Sequence, residues 1–292
     1  MAERRRRRRG IWPAVIGLGL VLALIGYLAV RCTRPAQTEG CAVNGSDGSD
    51  LTLDLDQASH ATTIAAVAHA RGLPERAVTI ALATAIQESK LRNIDYGDRD
   101  SLGLFQQRPS QGWGTPAQVR DPVHASGKFF DALVRVPDYL SLPVTVAAQK
   151  VQHSGYPTAY AQHESTAAAL AAALSGREGP ALTCTVIKIA AADSAAQSGS
   201  AMTEAVRREF GPDLVSDPAS TAVGIAYPVS DTRTGWALAQ WMVSHATTLH
   251  VASVAFDNRL WSSVTSDRGW THANGASGAS SAVDVTLARA TG

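Results

Sequence analysis

From Ala77 the chain reads Ala-Val-Thr-Ile-Ala-Leu-Ala-Thr-Ala-Ile and then ends its run with Gln87-Glu88-Ser89. A helix of this composition is apolar on every side, and such a helix has to be enclosed by other elements. Helical spacing puts Ala77, Ala81, Thr84, Ala85 and Glu88 on one stripe. The glutamate therefore continues a face of small side chains. Burial penalises the charged form of a carboxyl, so a glutamate placed there resists ionising. That is the property of a general acid working near neutral pH. The competing reading is a surface or capping residue at a helix end.

The residues downstream of Glu88 favour the first reading. Gly97-Asp98-Arg99 and then Gly103-Leu104-Phe105-Gln106 come after Glu88-Ser89. Together these segments resemble the lysozyme-like lytic transglycosylase superfamily, and the Gly-Asp-Arg insert resembles goose-type lysozymes. The resemblance covers roughly residues 55–175 and implies a mainly α, lysozyme-like domain. It implies cleavage of the MurNAc–GlcNAc bond of peptidoglycan, with Glu88 as general acid and base and no cofactor. Glycosidases usually add a second carboxylate. Asp98 is the first candidate, with Asp95 and Asp100 behind it, and a turn residue is the alternative for Asp98. Where goose-type enzymes carry a further aspartate, this chain has Arg108. A lytic transglycosylase tolerates that change, because the sugar's own C6 hydroxyl attacks; a water-using muramidase tolerates it less well. The candidate substrate-binding residues are Ser89, Gln106, Gln107, Trp113 and Tyr160. Gln106 is expected to bind N-acetyl groups. Trp113 is read as a sugar platform or a loop anchor, and Tyr160 as a cleft wall or a core residue. Gln152-His153 stands where the family's Tyr-Asn would be. The rival reading is an inactive domain that binds peptidoglycan or scaffolds an envelope assembly.

The N-terminus carries six arginines, Arg4 to Arg9, followed by twenty uncharged residues, 11–30. Twenty helical residues match a bilayer core, and arginine marks the cytoplasmic side. The expectation is a single-pass protein of the cell membrane, touching lipid through residues 11–30, with its C-terminal domains extracytoplasmic. A cleaved signal peptide is the alternative. The first thirty residues hold six Arg and one Glu, which leaves 20 basic against 24 acidic residues in the remainder. That mildly acidic remainder argues against a nucleic-acid partner; envelope proteins remain candidate partners.

Cys41 and Cys184 bracket the lysozyme-like segment and are proposed to pair, leaving Cys32; metal binding is the alternative, but no Cys-x-x-Cys or Cys-x-x-His spacing exists. The expected organisation is a cytoplasmic tail (1–10), a transmembrane helix (11–30), a flexible linker (31–50) and the lysozyme-like domain (51–184). A second linker (185–200) and a small α/β domain (201–292) complete it. In that last segment a helix from Trp236, strands at 251–256 and 260–262, and a final strand at 282–288 are expected. The segment resembles a C-terminal module found beside bacterial cell-wall enzymes, itself like a zinc-peptidase relative with a His-x-His pair on its final strand. Ala282 and Asp284 stand at those positions here. A zinc site needs about three protein ligands, so the module is expected to hold no metal, with His245 and His250 structural.

Overall fold

The chain before the first long helix is turned by Asp54, whose N–H donates to Gln57 Oε1 at 2.9 Å. Helix α1 (Leu55–Ala70) comes next, Gly72 ends it, and Pro74 opens helix α2 (Glu75–Ser89). Both helices bury alanine, threonine and isoleucine at almost every central position. Small side chains let neighbours approach from all directions, so these two helices form the middle of the core. Around them pack α3 (Pro116–Val119), α4 (Pro122–Leu133), α5 (Val144–Gln152) and α6 (Glu164–Leu174), the last preceded by a 3₁₀ turn, Ala159–His163. Helix α6 lies along α2, and α4 lies along α1. This computed structural model describes Ala23 and residues 38–44, 50–191, 195–212, 218–221, 224–273 and 280–288.

Two antiparallel sheets complete the unit. In the first, β1 (Gly40–Asn44) lies between β2 (Asp50–Leu53) and β3 (Leu182–Thr185). Cys41 faces Cys184 in register, and a disulfide joins them. Residues 40–44, read from composition as tether, are thus a strand, because alternate residues Cys41 and Val43 are buried and the backbone pairs on both sides. The second sheet has six strands in the order β4 (Ala219–Ser220), β5 (Gly224–Pro228), β9 (Ala282–Leu287), β6 (Val251–Phe256), β7 (Arg259–Ser262) and β8 (Thr271–His272). Helix α7 (Ala195–Phe210) and helix α8 (Thr232–Ser244) join this sheet to α1.

Buried polar side chains join β3 and the helices to the second sheet and to one another. Gln240 is fully buried; its Oε1 accepts from the N–H groups of Ala181 (3.0 Å) and Leu182 (2.6 Å), and its Nε2 donates to Ala173 O (2.8 Å). Trp261 and Trp270 donate to the carbonyls of Cys184 and Leu182. Thr62 of α1 and Ser244 of α8 share a buried hydroxyl pair at 2.8 Å. Residues Thr38–Gly292 accordingly form one unit.

The expected fold class needs correction. The protein is about 47% helical and 17% strand, with two antiparallel sheets, so it is more evenly mixed than a mainly α domain plus a small α/β module. Among the described residues no helix is long and apolar enough to cross a membrane. The expected transmembrane helix at 11–30 lies outside those residues apart from Ala23. An apolar run supplies only the length a span requires. The span itself, and the single-pass membrane localisation built on it, are withdrawn.

Candidate active site

Helix α2 ends at two successive left-handed residues, Lys90 (φ 56°) and Leu91 (φ 60°). Such a backbone is costly away from glycine. It is held by the N–H of Lys90 to Ile86 O, the N–H of Leu91 to Ala85 O, and burial of the Leu91 side chain. Ser89, also buried, donates from Oγ to Leu104 O at 2.8 Å. The serine thus ties the helix end to the Gly-Leu-Phe-Gln turn, a positioning task.

Glu88 lies one residue before that tie and is half-buried. Its Oε1 accepts from Tyr160 Oη at 2.7 Å and from Gln152 Nε2 at 3.2 Å. Gln152 Nε2 also reaches Phe105 O at 2.7 Å, so one amide spans helix α5, the turn and the carboxylate. The Oε2 atom has no hydrogen-bond partner among the described residues. Tyr160 is buried, and its phenol is pushed well above its usual range, first by burial and then by the Glu88 carboxylate beside it. It remains a donor throughout the neutral range. Tyr160 is therefore a core residue, and its hydroxyl reaches Glu88.

The turn is shaped by two close approaches. A Cβ at Gly103 (φ 77°) would stand 2.3 Å from Val119 O, and one at Gly97 would stand 1.9 Å from Gln106 Oε1. Gln106 itself has φ 48° and donates to the carbonyls of Tyr96 and Gly103, both at 3.3 Å. Gln107 is buried, pairs with Leu102 across the turn and donates to Ala125 O; its Oε1 has no partner. Those contacts are structural. Trp113 is half-buried against the core, and its carbonyl meets His124 Nε2 at 3.2 Å, the loop-anchor alternative.

The other carboxylates differ sharply from Glu88. Asp98 is 90% exposed, with Arg99 at 3.9 Å. Asp100 accepts from the Ser110 N–H (2.7 Å), Arg108 Nε (2.8 Å) and Ser110 Oγ (3.0 Å). These donors, the Ser110 N–H foremost, hold its carboxyl well below the usual range. Arg108 thus stands as the ion-pair partner of Asp100. The sequence singled out Gln152 only as a departure from a family pattern. Its amide reach across to α2 depends on how α5 packs, which no local motif encodes.

In the C-terminal region His245 stacks on Trp241 (4.3 Å between rings), its Nδ1 lies 2.9 Å from Trp241 O, and burial lowers its pKa. His250 Nδ1 meets Ala190 O at 2.9 Å. Ala282 and Asp284 share the outer, half-buried face of β9, opposite buried Val283 and Val285. A cleft of about 660 Å³ lies where α2 begins, lined by His69, Glu75, Ser175, Arg177, Asp231 and Arg233. Its charges are largely spent on one another: Glu75 Oε2 accepts from Ser175, Arg177 and Arg233.

Comparison with known proteins adds one finding. Residues 216–283 match the family described as VldE, C-terminal domain. The match covers most of the second sheet and α8, and includes neither Glu88 nor any residue around it. No curated protein matches the chain.

Proposed function

We propose that this protein is a glycosidase of the lytic transglycosylase type, cleaving the MurNAc–GlcNAc bond of peptidoglycan with Glu88 as its single acid and base. The observation that carries the reading is the asymmetry of the Glu88 carboxylate. Tyr160 and Gln152 both hold Oε1, which leaves Oε2 to handle a proton. In the first step the protonated Glu88 gives its proton to the glycosidic oxygen as the C1–O bond breaks. The leaving sugar departs with a free C4 hydroxyl, and an oxocarbenium-like centre forms at C1. In the second step the C6 hydroxyl of the MurNAc that carries C1 closes on that carbon, and its proton returns to Glu88. No water and no second carboxylate take part. That suits a site where Asp98 is solvent-exposed and Asp100 is committed to Arg108 and Ser110.

The test is incubation of the full chain with purified peptidoglycan, followed by mass analysis of the released fragments. Fragments ending in a 1,6-anhydro sugar, lost in Glu88→Gln, support the reading. Reducing-end fragments would reassign the protein as a muramidase. A wild type that binds peptidoglycan but releases nothing, with Glu88→Gln binding equally well, would decide for a binding module.

A further inference from the structure

Among the described residues, the aromatic side chains are buried or half-buried with two exceptions: Tyr96, 70% exposed, and Tyr156, 77% exposed. A scattered exposed apolar residue needs no explanation. These two both lie on loops tied to the residues around Glu88. Tyr96 lies on the loop whose carbonyl accepts from Gln106. Tyr156 lies on the loop joining Gln152 to Tyr160, the two residues that hold Glu88 Oε1. One connected set of contacts runs from Tyr96 through Gln106 and its neighbour Phe105 to Gln152, then Glu88 and Tyr160.

Both loops are fastened, so the exposed rings are carried on a defined backbone. Gly103 N–H donates to Ile94 O, and Asn93 Nδ2 donates to Arg120 O, beside Tyr96. On the second loop Tyr156 N–H donates to Ser154 Oγ, Ala159 N–H donates to Tyr156 O, and Thr145 Oγ1 donates to Pro157 O. Holding a ring out in water on a fixed loop gains nothing for folding. It does preorganise a flat face for a ligand. Pyranose rings offer a matching surface, because their C–H bonds present an apolar, weakly positive face to the negative face of an aromatic ring.

We propose that Tyr96 and Tyr156 are stacking platforms for sugar rings of a glycan strand bound at Glu88. The inference rests on the glycosidase reading for its ligand class, but its test does not rest on turnover. Full-length Glu88→Gln serves as the parent, so that binding is measured without cleavage, using purified peptidoglycan and a soluble chitooligosaccharide as probes. Tyr96→Ala and Tyr156→Ala are each expected to weaken binding about 10-fold, with unchanged melting, since neither ring is packed in the core. Tyr→Trp variants at both positions are expected to retain binding, because stacking needs the ring face and not the hydroxyl. In the cleaving enzyme the alanine variants should raise KM more than they lower kcat. Unaltered affinity for both probes in the double alanine variant overturns the proposal, as does failure of the parent to bind either probe. If the parent binds, the tyrosines matter and the wild type cleaves nothing, the platforms stand and the glycosidase reading falls.

Discussion

Glu88 and Gln240 are both polar side chains on helices of the same core, and they are treated in opposite ways. Gln240 sits on α8, fully buried, with two N–H groups on its oxygen and two carbonyls on its nitrogen. Nothing is left over. Glu88 sits at the end of α2, half-buried, with two donors on one oxygen and none on the other. A buried polar group with every bond made stiffens and specifies a core. A partly held group at the rim of one keeps a defined direction and a spare atom for chemistry. The comparison teaches where to look for function: the informative polar residue is the oriented one whose bonding is incomplete.

The largest expected effect would break the comparison on the Glu88 side. Glu88→Gln keeps the shape but cannot donate a proton as a carboxylic acid does, so fragment release should fall about 10²–10⁴-fold while the melting temperature hardly moves. Parallel unfolding and muropeptide-release assays check both halves of the statement. Asp98→Asn should cost less than about twofold in the same assay, as expected of a solvated side chain.

The Gln240 side should give the reverse result. Gln240→Leu leaves the buried N–H groups of Ala181 and Leu182 without partners, a loss of about 3 kcal/mol, measurable as a shift of the urea midpoint at constant slope. Activity per folded molecule should be retained. Loss of activity with unaltered stability would show that Gln240 acts on the site directly.

A smaller effect sharpens the picture at Oε1. Gln152→Ala removes the amide shared by Glu88 and Phe105 O, and Tyr160→Phe removes only a hydroxyl. Each should reduce kcat about 10-fold, the scale of one hydrogen bond to a charged group, with KM little altered. Equal loss in KM alone would assign these residues to binding rather than to orienting the carboxylate.

The smallest effect is in pH. His60 and His245 are lowered from 6.5 chiefly by burial, with Asp56, Glu209 and backbone carbonyls acting against it and Arg92 facing His60. Below about 6.5 the unfolded chain binds protons that the folded one refuses. Stability is therefore full above that pH and falls as the pH drops toward the folded-state values. Melting curves between about pH 7.5 and 5.5 should show this slope, and His245→Gln should flatten it. A flat profile in the wild type would mean that both rings take up a proton in the fold as readily as in the unfolded chain.

Sequence alone determined the enclosed helix 77–86, its terminal Glu88-Ser89 and the glycine-punctuated turn after it. Composition and close-range sterics operate over a few residues, and the positive φ of Gly103 is a local demand. The hairpin at 251–262 and the final strand were legible for the same reason: alternation and turn residues are short-range signals. What only the tertiary structure decided was partnership. That Gln152 rather than another amide reaches Glu88, that Arg108 is committed to Asp100, that Trp113 packs inward while Tyr96 and Tyr156 stand in water, and that residues 40–44 form the middle strand of a sheet all depend on segments far apart in the chain. Tether-like composition at 40–44 and the arginine at 108 carry no local mark of their partners. Those contacts exist because two helices of small side chains let the other elements close around them, and that closure is a property of the whole core.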